Sequence, residues 1–218
     1  AEPISVGEEM RRVLPVIKAL VKRIDLPISI DTYKAEVARA AVEEGAEIIN
    51  HISAMRFDEK MVEVVREKRV AVVLMHMKGT PKDMQVNPCY DDVVGEVYSF
   101  LQGRVEWAIK NGIGRDYLLI DPGIGFGKRT IDNLELIRRL SEFKSLGLPI
   151  LIGPSRKSFI GNILGGLPPE ERLEGTASAV AISVMKGANI IRVHDVKAMK
   201  RVIDVAYSIL KAGFFRKV

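Results

Sequence analysis

Asp31, Asn50 and Asp121 each close a short apolar run: PISID, EIIN and LLID. An ionised carboxylate only accepts hydrogen bonds, and a buried one demands donors. Asparagine both gives and accepts. Two acids and an amide at strand ends therefore suit a heterocycle that carries an amino group and ring N–H groups, and suit a phosphate poorly. The last runs have the opposite character. PILIG leads into Ser155-Arg156-Lys157, and IIRVHD sets Arg192 and His194 two residues apart. In an extended strand that spacing puts both on one face, where a guanidinium fork and an imidazole hold a phosphate or pyrophosphate. Between them lies DPGIGFGK, residues 121–128, where Phe126 is displayed among glycines with little core to fill and can cover a flat ligand. Met75 can pack on such a ring, because thioethers adapt to aromatic faces. His76 reads as a core histidine, and Cys89 has no neighbouring base to activate it.

These residues need a frame. Six apolar runs end in a polar residue, the sixth being VAVVLMH at His76. Near-continuous apolar runs are buried parallel strands. Helical periodicity separates them: helices are expected at Val6–Arg23, Lys34–Glu44, Asp58–Glu67 with Asp58 as N-cap, Asp91–Asn111, Ile131–Leu140, Thr176–Lys186 and Lys197–Lys211. Strands are expected at Leu26–Ile30, Ala46–Ile49, Val70–Met75, Tyr117–Ile120, Pro149–Ile152 and Asn189–Val193, with a long loop at 76–90. Such a chain folds as a (β/α)8 barrel or as an open doubly wound sheet. No G-x-G-x-x-G follows the first strand, and polar residues close all six runs instead of gathering at one switch point, which favours the barrel. Barrels place their chemistry at the carboxyl ends of the strands. A closed barrel has eight strands, so this chain supplies about six βα units of one, as a single domain over residues 1–218.

Composition excludes other classes. With 218 residues and 47% hydrophobic content the chain can build a full core. No apolar run reaches the ~18 residues of a membrane span, and the opening AEPISVGEEM is unlike a signal peptide. One cysteine rules out an internal disulfide framework and fits a reducing cytoplasm. The net charge of +5 comes from lysines and arginines interleaved with acids on the helices, which argues against nucleic acid and suits small anionic substrates.

Taken in order, SIDTYKAEVA, EIIN, VVLMHMKGTPKDMQ with NP and YDDV, LLIDPGIGFGK, SRKSFIG, LPPEERL with GT, and RVHDV resemble dihydropteroate synthases, from Glu2 to the last helix. The resemblance implies a homodimeric barrel that uses Mg2+ to join 6-hydroxymethyl-7,8-dihydropterin pyrophosphate to p-aminobenzoate. It implies pterin binding by Asp31, Asn50, Met75, Asp121, Gly153 and Lys157. It implies a p-aminobenzoate pocket of Phe126, Ser155, Arg156 and Lys157, and a pyrophosphate site of Arg192 and His194. Lys157, Arg192, His194 and Asp121 are the expected catalytic set. No metal ligand is assigned, because the family's asparagine for Mg2+ lies on a first strand that this sequence does not include; nor does it include the flexible loop after the second strand. Ala1-Glu2-Pro3 looks like that loop's tail. His51 stands where the family usually has Asp, and Pro154 where a small or β-branched residue is commoner. Two other readings stay open: a methyltransferase that binds a methylated folate, and an inactive pterin-binding remnant.

Overall fold

The computed structural model describes residues 4–212. The chain forms two compact units. One holds the chain up to Met77 together with Ser99–Asp121; the other holds Lys78–Tyr98 and the chain from Pro122 onward. The Ala1-Glu2-Pro3 match lies outside the described residues.

The first unit alternates helix and strand: α1 Val6–Val21, β1 Ser29–Asp31, α2 Ala35–Glu43, β2 Ile48–His51, α3 Met61–Lys68 and β3 Ala71–Met75, then β4 Leu118–Asp121. All pairings are parallel, in the order β1-β2-β3-β4. α4, Val93–Lys110, leads into β4 through a 3-10 turn at Arg115–Tyr117. Whereas β1 buries Ile30 and exposes Ser29 and Asp31, strands β2, β3 and β4 are buried on both faces, with Ile49, Val72, Val73, Leu74 and Ile120 fully inaccessible. Each such side chain contributes about 1.5–3 kcal/mol. Helices α2, α3 and α4 stop at Gly45, Arg69 and Gly112, all with positive φ. α1 carries Pro15 in its interior and still runs on to Val21.

The second unit contains α5 Thr130–Arg138, β5 Leu151–Ile152, α6 Ser158–Ile163, α7 Leu173–Met185, β6 Ile190–Ile191 and α8 Val196–Lys211. β5 and β6 pair in parallel, Leu151 with Ile190 and Ile152 with Ile191.

Three differences from the sequence expectation bear on the site. First, β1, β2 and β4 run one or two residues further, so Asp31, Asn50 and Asp121 belong to the ladder. Backbone pairing is indifferent to the polarity of the side chain it carries, and parallel register continues through Asp31–Asn50 and Met75–Asp121. Second, β6 ends at Ile191, so Arg192 and His194 are not both on a strand. Arg192 N–H still donates to the Ile152 carbonyl (3.0 Å), but His194 stands in the turn before α8. Third, α6 was not anticipated: six residues are too few for a helical period to register. Asp58 is not the N-cap of α3: that helix starts at Met61 with Lys60 at its N-cap and no side-chain cap. The Asp58 carboxylate instead accepts from the amides of Ala35 (2.7 Å), the first residue of α2, and Lys60 (3.1 Å).

Candidate active site

The carboxyl edge of the first sheet carries Asp31, Asn50, Met75 and Asp121 at the ends of β1 to β4. Asp31 is exposed, whereas Asn50, Met75 and Asp121 are buried. Asp31 and Asn50 are register partners, and the Asn50 Nδ2 amide donates to the Asp31 carboxylate. That contact turns the other end of the amide outward from the pair. Asn50 Oδ1 is buried and receives no hydrogen bond from any described protein group. An acceptor left in that state costs about 1–3 kcal/mol unless a ligand donates to it. The segment after Asp31 is locked: Thr32 Oγ1 donates to Glu9 (2.6 Å), and Lys34 Nζ reaches Glu9 (2.6 Å) and the Ile4 carbonyl (2.5 Å).

His51 follows Asn50 and is fully buried. Its Nδ1 accepts from the backbone amides of Ser53 (3.2 Å) and Met55 (3.3 Å). Backbone N–H groups can only donate, so Nδ1 is unprotonated and the ring carries its hydrogen on Nε2. Burial pushes this imidazole down to about 4, partly opposed by the charge of Asp58. The imidazole gathers the amides of a strained turn in which Ala54 (φ 51°) and Met55 (φ 61°) are both left-handed. Arg104 Nε clamps the Ala54 carbonyl (2.8 Å); Arg56 clamps the carbonyls of Ser53 (3.1 Å) and Met77 (3.0 Å) and stacks on Phe100. Burial lowers both guanidinium pKa values. His76 packs edge-on against Phe100, ring centres 4.9 Å apart, as expected of a core histidine.

In the second unit, the loop 122–128 is held by its own backbone. Asn133 Oδ1 accepts from Gly125 N (2.6 Å), Gln85 donates to the Gly125 carbonyl (2.8 Å) and Tyr90 to the Gly127 carbonyl (2.7 Å). Lys157 lies along it: Nζ donates to the Ile124 carbonyl (2.9 Å) and sits 4.1 Å from the centre of the Phe126 ring. A Cβ on Gly125 would fall 2.8 Å from Lys157 Cδ, so this approach requires glycine.

Ser155 and Arg156 are differently employed. Ser155 is only 4% exposed, and its hydroxyl lies 2.9 Å from His194 Nδ1 while accepting from the His194 amide (3.2 Å). Arg156, left-handed at φ 55°, makes a bidentate pair with Asp195 (2.9 and 2.7 Å). Its amide donates to Thr176 Oγ1 (3.0 Å), and its carbonyl accepts from Arg172 (2.8 Å), which also holds the Leu167 carbonyl. Arg172 fits because residue 161 is glycine: a Cβ there would fall 2.6 Å from the guanidinium. The motifs SRKSFIG, LPPEERL-GT and RVHD are thus knitted around one strained residue. Of the four residues expected around p-aminobenzoate, Phe126 and Lys157 present a ring and an ammonium at a clamped loop, while the polar heads of Ser155 and Arg156 brace the turn that carries His194. Arg192 and His194 are themselves exposed. Among the described residues, no group of three or more His, Cys, Asp or Glu comes together as a metal cage.

A family model described as pterin binding enzyme matches residues 1–194. The dihydropteroate synthase of Synechocystis sp. is 44% identical over 206 residues, covering 94% of this chain and 71% of its own. The chain belongs to this family of pterin-binding enzymes. The crystal structure of the Stenotrophomonas maltophilia dihydropteroate synthase with bound imidazole matches with a TM-score of 0.92 at 46% identity, covering 95% of this chain and 78% of that one. The Xanthomonas albilineans enzyme in complex with 7,8-dihydropteroate matches with a TM-score of 0.89 at 45% identity, with the same coverage of 95% and 78%. These relatives have the (β/α)8 barrel fold, and the described residues form six strands of that fold class, all paired in parallel. Sequence reasoning had no role for Thr176 or Arg172, although both lie in motifs that carry the resemblance, and it marked His51 only as a departure from the family. A residue that completes someone else's hydrogen bond leaves no periodic signal.

Proposed function

We propose that this protein is a dihydropteroate synthase, a transferase that joins 6-hydroxymethyl-7,8-dihydropterin pyrophosphate to p-aminobenzoate in folate biosynthesis. The observation that carries this reading beyond family membership is the buried, donorless Asn50 Oδ1 beside Asp31. A pterin's amino and ring N–H groups are the donors such an edge lacks, and Asp31 and Asp121 supply further acceptors. Met75 lines the ring's slot. Gly153 and Lys157 keep the pterin contacts that the family resemblance implies.

In the reaction the bond from the pterin's CH2 to the pyrophosphate oxygen breaks, and its electron pair leaves with pyrophosphate. The aniline nitrogen of p-aminobenzoate attacks the CH2, forms the C–N bond and gives up a proton. No enzyme nucleophile is needed. Arg192 and His194 hold the departing anion, and Phe126 and Lys157 face the second ring; stabilising the anion and aligning the reactants are the whole of the protein's contribution. Mg2+ remains an expectation of the family.

For assembly, we favour a homodimer through the face shared by α7 and α8. Val205 and Ile209 are 61% and 62% exposed there, and share an apolar groove with Met185 and Ala181. A single cysteine and helices of which none, among the described residues, can cross a membrane accord with a cytoplasmic enzyme. The decisive test is to incubate the protein with both substrates and Mg2+ and to look for dihydropteroate and pyrophosphate in equal amounts. Absence of both would overturn the proposal.

A further inference from the structure

We propose that Ser155 is a positioning residue that fixes the tautomer of His194, so that His194 presents an Nε2–H donor to the leaving pyrophosphate. The inference rests on the reading that His194 holds that anion. Its own basis is hydrogen-bond accounting within one turn. Ser155 is 4% exposed, so its single hydroxyl hydrogen needs an acceptor inside the protein. The backbone amide of His194 can only donate, and it does so to Ser155 Oγ at 3.2 Å. The hydroxyl hydrogen is then left for its other partner, His194 Nδ1, at 2.9 Å. Nδ1 is an acceptor, and the neutral ring carries its hydrogen on Nε2. Pyrophosphate oxygens only accept, so a ring with a bare Nε2 would repel them. The geometry is held from behind. Arg156 is tied to Asp195, to Thr176 and to Arg172, so the residues flanking Ser155 and His194 are fixed to each other.

The chain has three histidines, few enough to resolve individually. Long-range 15N–1H correlation of the labelled protein, near pH 8 and so above the ordinary imidazole range, reads each tautomer; His194→Gln assigns the signal. The expected spectrum has a pyridine-type Nδ1 and a pyrrole-type Nε2 for His194, with Nε2 moving on addition of inorganic pyrophosphate. Ser155→Ala should average the two nitrogens and lower kcat/KM for the pterin pyrophosphate roughly tenfold, the scale of one hydrogen bond, with KM for p-aminobenzoate unchanged. Ser155→Thr, which retains the hydroxyl, should restore both the spectrum and the rate. A protonated Nδ1 in the unmodified protein overturns the proposal without any variant. So does an unchanged tautomer in Ser155→Ala, or a rise confined to KM for p-aminobenzoate, which would return Ser155 to that substrate's pocket. If the unmodified protein makes no dihydropteroate, the functional reading fails, and the spectra still decide the tautomer.

Discussion

Acidifying the protein from neutrality to pH 5 should destabilise it through one residue, His51. The imidazole is fully buried and its Nδ1 is occupied by two amide hydrogens, so the folded chain resists protonating it. Burial depresses it from 6.5 to about 4. In the unfolded chain the ring binds a proton once the pH drops below its ordinary value, while in the folded chain it stays neutral until about 4. The stabilisation is therefore complete above about 6.5, shrinks as the pH falls through this window, and is gone below about 4. At 1.36 kcal/mol per pH unit the full effect is about 3 kcal/mol, of which about 2 kcal/mol falls between pH 7 and pH 5. Urea unfolding at the two pH values measures it. His51→Asn is the reference, because its carboxamide oxygen can still accept an amide and it does not titrate in this range. The unmodified protein should lose about 2 kcal/mol more than the variant over the interval. Equal losses in the two proteins would show that His51 titrates alike folded and unfolded, and the account of the 51–57 turn would be wrong.

Other outcomes follow from single contacts. Asn50→Leu removes the donorless acceptor along with the amide that holds Asp31, and calorimetry with a pterin ligand should show affinity lowered about ten- to a hundredfold; unchanged affinity would remove Asn50 from the site. Gly161→Ala drives a methyl group into the Arg172 guanidinium and should cost about 1–3 kcal/mol in thermal unfolding, with turnover reduced because Arg156 loses its carbonyl partner; a neutral melt would mean that Arg172 has another seat. Lys157→Ala should lower kcat strongly while leaving the fold intact by circular dichroism, and near-normal kinetics would separate Lys157 from the chemistry. Val205→Glu places a charge in the apolar α7–α8 face and should convert a dimer to a monomer in sedimentation; a monomer before substitution would refute that interface.

Much of the frame was legible because it depends on local order. Apolar runs bounded by polar residues set six parallel strands, and helical spacing filled the intervals to within a few residues. Apart from the short helix α6, the errors lie at the ends of elements. A ladder carries on through Asp31 and Asp121 as readily as through isoleucine, so polarity marked the strands' limits too early. At β6 it marked the limit too late: the IIRVHD run looks extended to its end, yet only Ile190–Ile191 pairs, and the turn that follows is shaped by Ser155 and Arg156 from another motif.

The sequence by itself determined which chemistry is present and on which strand ends it stands: acids and an amide early, cations late, and a ring among glycines between them. Only the tertiary structure decided how each polar group is employed. Ser155 and Arg156 look as available as Lys157 in the string SRK. Their partners, His194 and Asp195, lie 39 residues further on, and only the folded chain commits one hydroxyl and one guanidinium to them. His51 looked like a loss of charge from the family's usual pattern; folded, it is an acceptor for two amides. A buried polar atom must find a partner, that partner is usually distant in sequence, and no local pattern names it.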